Sequence, residues 1–179
     1  MLNSEEKNYL LRLARHVIEA LAAGDSFSED NFTSTKLDEY CGVFVTIHQH
    51  SELRGCIGYV EGTRPLKQAV REMAAAAAFE DPRFPQVTKE DVPDLNIEIS
   101  VLSPLKEITS VDEIEVGKHG LIVENGLLRG LLLPQVATEQ EWNRQQFLEF
   151  TCIKAGLNSD AWKDPETKIQ TFIAEIFSE

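Results

Sequence analysis

The 179-residue chain is 42% hydrophobic and 26% charged, a balance that suits one compact domain with a sizeable core. Its 30 acidic residues outnumber 17 basic ones for a formal charge of −13; spread along the chain, they read as a solvated surface whose field repels phosphate backbones and anionic membranes. Nucleic acid and membrane are therefore not expected partners. Cys41, Cys56 and Cys152 lie far apart with no CxxC pair, which fits a reducing cytoplasm and speaks against a zinc ribbon or a disulfide framework. The start "MLNSEEKNYL" has neither a basic nor an apolar signal region, and the longest apolar run, Met73 to Phe79, is too short to cross a bilayer. The expected location is cytoplasmic.

In chain order, Ser4 with Glu5 and Glu6 reads as a helix start, and Leu10, Ala14, Val17, Ile18 and Leu21 recur at helical spacing until Gly24. The polar stretch "GDSFSEDNFTSTKLDEY" follows as a connecting loop. From Val43 the pattern alternates, with Val43, Val45 and Ile47 on one face and Phe44, Thr46 and His48 on the other. "LRGCIGY" alternates too, with Leu53, Ile57 and Tyr59 opposite in phase to Arg54, Cys56 and Gly58. A hairpin around "HSE", centred on Ser51, brings the apolar faces together: Val45 faces Ile57, Val43 faces Tyr59, Thr46 lies beside Cys56 and His48 beside Arg54.

"RPLKQAVREMAAAAAF" predicts a helix with Pro65 in its first turn and an alanine-rich half able to approach a sheet closely; Asp81-Pro82 ends it. Leu95, Ile97, Ile99 and Val101 alternate with Asn96, Glu98 and Ser100 in another strand. "LIVENGLLRGLLLP" is a hairpin with Asn125-Gly126 at its tip, closed by Pro134. Thr138 and Glu141 form the pattern of a capping box for a helix running through Trp142, Phe147 and Phe150 to Gly156, and "KIQTFIAEIF" is a closing strand. Helices mixed with mostly antiparallel strands define an α+β class.

Cys56 is the sharpest candidate for chemistry, since a thiolate is nucleophilic and a guanidinium such as Arg54 favours that form. Gly55 and Gly58 would admit a substrate close to the backbone. The competing reading is a packed cysteine between bulge glycines. Arg83, held stiffly in "EDPRFP", forms with Arg54 a potential carboxylate or phosphate clamp, or is satisfied internally by Asp81 or Glu98. Glu98, on the polar face of its strand, is a candidate acid or base, or an arginine anchor. His48 and His50 form an HxH pair, a weak metal signal at a hairpin tip, and no metal site is assigned. Neither GxGxxG nor GxxxxGK[ST] occurs, so no dinucleotide or P-loop cofactor is indicated and the cofactor, if any, is unknown.

Five stretches, "LRGCIG", "DPRFP", "EISVLSP", "GKHGL" and "LLLPQVATEQEW", together resemble the AMMECR-type domain family. The resemblance implies a single domain over residues 1–179, mixing helices with a mostly antiparallel sheet, in a larger and a smaller lobe with a cleft between them. It places the N- and C-terminal segments together in the larger lobe. Position by position, it points to Arg54, Gly55, Cys56, Gly58, Asp81, Arg83, Phe84, Glu98, Ser100, Gln140 and Trp142, and not to His48 or His50. It brings no established activity. It further implies partnership with a Memo-type protein and a radical SAM protein, and leaves open an enzyme acting through Cys56, Arg54 and Glu98 on a small polar or anionic substrate, or a binding subunit.

Overall fold

The computed structural model describes residues 1–28 and 32–179; Glu29 to Asn31, inside the polar stretch expected to be a loop, lie outside the described residues. The chain divides into two compact units, Met1–Leu102 with Glu175–Glu179, and Ser103–Ala174. Each mixes helices with antiparallel strands, so the class is α+β.

In the first unit, α1 (Ser4–Ala23) begins one residue earlier than Ser4 suggests: Asn3 accepts from the Glu6 amide while the Glu6 carboxylate accepts from the Asn3 amide. Gly24, at φ +77°, supplies the left-handed cap that stops the helix. Leu10, Ala14, Val17 and Ile18 are buried; Leu21, in the last turn, is exposed. The helix packs with α2 (Leu66–Phe79) over a three-stranded sheet of order β2-β1-β3, formed by β1 (Gly42–Gln49), β2 (Glu52–Tyr59) and β3 (Leu95–Leu102). Val43, Val45 and Ile47 of β1 and Ile97 and Ile99 of β3 fill the space beneath the helices. The 175–179 segment is tied to this unit by its acids: Glu175 accepts from the Leu2 amide and pairs with Lys7, and Glu179 pairs with Arg15 and accepts from the Ile97 amide.

The β1–β2 hairpin turns through His50 and Ser51, both at positive φ, as a two-residue turn between twisted strands requires. The expected pairs Val43–Tyr59, Val45–Ile57 and Thr46–Cys56 are present. His48, however, lies opposite Leu53 and not Arg54, because the register shifts between Ile47 and His48 and leaves Arg54 without a cross-strand partner. A bulge of this kind absorbs one extra residue and takes it out of the simple alternation.

The second unit contains β4 (Lys106–Glu107), β5 (His119–Asn125), β6 (Leu128–Leu132), α3 (Pro134–Glu139), α4 (Arg144–Lys154) and the first part of β7 (Lys168–Ser178). β4 and β5 flank β7, and β6 pairs with β5. The hairpin tip is Gly126-Leu127; Asn125 is the last strand residue, and Gly126 takes the positive φ of +61°. The long helix expected from Thr138 is two helices. The capping box belongs to Asn143 and Gln146, which start α4, while Thr138 sits inside α3 with its hydroxyl donating to the Gln135 carbonyl. Glu141, at φ +54°, carries the break. Leu121, Val123, Ala137, Phe147, Leu148 and Cys152 make this unit's own core. Among the described residues no helix is long and apolar enough to cross a membrane.

Candidate functional site

The site is built on β2, the outermost strand of the first unit's sheet. Its foundation is the approach of that strand to α2. A Cβ on Gly55 would lie 2.1 Å from the Ala77 carbonyl oxygen, so strand and helix meet backbone to backbone, which explains both the glycine and the alanine-rich helix. At Gly58 a Cβ would lie 2.3 Å from the Val43 oxygen and 2.4 Å from the Phe44 ring. The space beside both glycines is therefore filled by the protein, and the close approach expected of a substrate is made by α2 and by Phe44.

Beyond α2, Asp81, Pro82, Arg83, Phe84 and Pro85 fold back onto β2. Asp81 is 5% exposed. One carboxylate oxygen accepts from the Cys56 amide at 2.9 Å and from Arg83 Nη2 at 2.7 Å; the other accepts from Arg83 Nε at 2.9 Å and from the Arg83 amide at 3.1 Å. Arg83 Nη2 also donates to the Cys56 carbonyl at 3.1 Å. The aspartate and arginine thus hold both outward-facing backbone groups of Cys56. The Arg83 hydrogen bond keeps the Asp81 carboxyl well below the usual carboxylate range, with the two backbone amides adding to it against the opposing effect of burial. The Arg83 guanidinium is in turn pushed up by its hydrogen bond with Asp81. It lies 5.3 Å from the Phe84 ring centroid, and the side chain stays 55% exposed. Its Nη1 makes no hydrogen bond among the described residues.

Arg54 has a different environment. Displaced by the bulge, its guanidinium donates to the carbonyls of Pro85 and Gln86 and lies 3.6 Å from Asp91; the side chain is 12% exposed. Asp91 is held below the usual range chiefly by the Thr88 amide, then by Gln49 and the Thr88 hydroxyl, with Arg54 contributing least. Arg54 therefore fastens the 85–91 segment to β2, and the cation gathered about Cys56 is Arg83. Of the two arginines expected to act together, Arg54 directs Nη1 and Nη2 to main-chain carbonyls, while Arg83 contacts Asp81 and Cys56.

On the sheet face opposite the helices, register lines up Cys56, Thr46 and Glu98 across the three strands, and Gly58, Phe44 and Ser100 in the next row. Thr46 Oγ1 donates to Cys56 Sγ at 3.3 Å. Thr46 is the residue that sequence reasoning left without a role; the register placed it beside the thiol, and only the side-chain geometry shows it aimed at the sulfur. Cys56 is half-buried, whereas Cys152 is fully buried. Glu98 is half-buried and, among the described residues, takes no hydrogen bond or ion pair, so it anchors no arginine. Ser100 is 2% exposed. His50 stands on the turn, 3.8 Å from Asp94, with its side chain 73% exposed. No group of three or more histidine, cysteine or acidic side chains is arranged to hold a metal among the described residues.

Gln140 and Trp142 belong to the second unit. Gln140 closes α3, and Trp142 stacks on Phe150 with ring centroids 4.1 Å apart while its amide donates to the Ala137 carbonyl at 2.9 Å.

Known proteins share this arrangement of sequence from end to end. The family model described as AMMECR1 matches residues 11–177. Protein TK0174 of Thermococcus kodakarensis is 42% identical over 99% of this chain and 92% of its own length, and a protein of Methanothermobacter thermautotrophicus is 44% identical over 99% and 96%. The crystal structure of the uncharacterized protein PH0010 from Pyrococcus horikoshii superimposes with a TM-score of 0.87 at 43% identity, covering 96% of this chain and 90% of that one. With nearly its whole length matched, the chain belongs to the AMMECR1 family.

Proposed function

We propose that the protein is an enzyme in which Cys56 is the nucleophile, acting on a small polar or anionic substrate whose negative group is received by Arg83 Nη1, which makes no hydrogen bond among the described residues. The observation that carries this reading is the hydrogen bond from Thr46 to Cys56 Sγ. The hydroxyl aimed at sulfur fixes where that atom stands, and a sulfur held in place beside an exposed guanidinium is what attack on a bound substrate requires. The surrounding contacts make that sulfur a fixed target. The amide and carbonyl of Cys56 are held by Asp81 and Arg83, and the strand on either side of it is paired with β1, so the thiol is positioned by rigid elements.

Alkylation of the folded protein, resolved by mass spectrometry for each cysteine, tests the proposal with internal controls. Burial pushes the thiols of Cys41 and Cys152 up from their ordinary value, so both should react slowly at neutral pH. Cys56 should be alkylated at least about tenfold faster than either, as an accessible and positioned nucleophile requires; equal rates for all three would remove the case for a nucleophile.

A second reading, a non-catalytic subunit docking a partner such as the Memo-type or radical SAM protein, is favoured by one feature. Arg54, Gly55 and Gly58 each have a packing reason of their own in LRGCIG. In that case Cys56→Ala leaves partner affinity intact, while Arg54→Ala, by releasing the 85–91 segment, abolishes it.

A further inference from the structure

Glu98 is the one group of the Cys56 row that the reading above leaves unused. It sits on β3 directly across Thr46, which is itself directly across from Cys56. Two strand spacings separate the carboxylate's strand from the thiol's, about 10 Å. Glu98 is half-buried yet takes no hydrogen bond and no cation among the described residues. Other acids of this unit show what internal employment looks like: Asp81 holds Arg83, Glu175 holds Lys7 and Glu179 holds Arg15. On the far side of Cys56, Arg83 Nη1 makes no hydrogen bond among the described residues, on a side chain 55% exposed. From the edge of the sheet inward the order is guanidinium, thiol, hydroxyl, carboxylate.

Resting on the reading of Cys56 as the reactive centre, we infer that its substrate is a small zwitterion: an ammonium or similar cationic group is received by Glu98, an anionic group by Arg83 Nη1, and the reacting atom lies between them over Cys56 Sγ. A partly exposed carboxylate with no partner among the described residues is open to a cationic group from solution. The spacing sets a length rule, since the two charged groups must reach to either side of the thiol.

Three methanethiosulfonates of matched size, ending in a methyl, a trimethylammonium or a sulfonate group, report the charge preference of the thiol. In each reaction Cys56 Sγ attacks the sulfenyl sulfur, the S–S bond forms, and methanesulfinate leaves with the electron pair. Rates are measured at Cys56 in the full chain and divided by the rate of the neutral reagent, which cancels changes in the thiol itself. Glu98→Gln, isosteric and uncharged, should lower the cationic ratio about three- to tenfold, the effect of one charge acting over roughly 8–10 Å in partly wet surroundings. Arg83→Gln should lower the sulfonate ratio by a similar factor. Glu19→Gln, on the exposed side of α1 across the core, removes the same charge from the overall field and should leave both ratios in place. A cationic ratio unchanged in Glu98→Gln, or changed equally in Glu19→Gln, overturns the inference while Cys56 remains reactive. An unchanged sulfonate ratio in Arg83→Gln overturns its anionic half. If Cys56 reacts with none of the reagents, the proposed function fails first and this inference with it.

Discussion

Replacing Asp81 by asparagine keeps the shape of the buried side chain and removes its charge, and the consequences follow from the contacts. The carboxylate accepts from four donors, two at each oxygen: the Cys56 amide and Arg83 Nη2 at one, the Arg83 amide and Nε at the other. Asparagine offers one acceptor and one donor, so in either orientation two of those donors face an N–H. Arg83 is more than half exposed and turns to water at little cost, whereas a half-buried backbone amide stripped of its acceptor costs about 1–3 kcal/mol. Adding a neutral in place of a charge-assisted bond brings the expected loss to about 2–3 kcal/mol, or about 5–10 °C in Tm for a chain of this size. Because the Asp81 carboxyl is held below its unfolded value, its contribution is present above about pH 4 and is lost as pH falls below that value. The gap between wild type and Asp81→Asn in urea titrations should therefore be constant near neutrality and narrow steadily in acid. Hydrogen exchange followed by NMR locates the effect: protection should fall at whichever of the Cys56 and Arg83 amides faces the new N–H, and should hold at Thr46 on the inner strand. A variant within 0.5 kcal/mol of wild type, or a gap that is indifferent to acid, would falsify the claim that this carboxylate is what holds β2 to the 81–85 segment.

The remaining expectations are independent of one another. Gly55→Ala puts a methyl 2.1 Å from a main-chain oxygen that cannot move without the helix, so it should destabilise by about 2–3 kcal/mol or more, read by chemical denaturation; a neutral result would mean that α2 shifts freely. Thr46→Val removes the donor to Sγ while keeping the side chain's shape, and alkylation of Cys56 at pH 7 should slow by about three- to tenfold, the worth of one weak hydrogen bond that positions the sulfur, with Cys41 unaffected. Glu113 in the second unit accepts from Lys106 and from the Thr109 and Ser110 amides, which hold its carboxyl down to about 2. A carboxyl resonance titrating at an ordinary glutamate value would refute that cluster, whose stabilising effect is expected to be full above about pH 4.5 and to fade as pH falls toward 2.

Much of this arrangement is legible in the sequence, for identifiable reasons. Alternation from Val43 and from Leu53 reveals two strands, and the demand that their apolar faces meet recovers the pairing from Thr46–Cys56 down to Val43–Tyr59. The demand does not extend past Ile47. A bulge adds a residue without altering the local pattern, so Arg54 reads as a partner of His48 and a neighbour of the thiol when it is neither. The same local logic fails at Thr138, where Thr-x-x-Glu and Asn143-x-x-Gln146 both satisfy the rule for a helix start; tertiary packing of Phe147 and Leu148 selects the second. The hold of Asp81 and Arg83 on Cys56 joins residues 25 or more positions apart through a turn whose direction depends on where α2 docks. Composition and periodicity carry no record of that. Gly55 and Gly58 stand out in the sequence, but which neighbour crowds them is a property of the folded chain.

The pinning of Cys56 has a bearing on how the molecule behaves among its own copies. β2 is the outer margin of its sheet, and a margin with unpaired amides and carbonyls is a template on which a second extended chain can assemble. Two copies meeting there in antiparallel fashion would bring one thiol against another and invite oxidation between molecules. With the amide and carbonyl of Cys56 already occupied by Asp81 and Arg83, that template is interrupted at its midpoint. The pair that pins the Cys56 backbone thus also denies a second copy the middle of this edge.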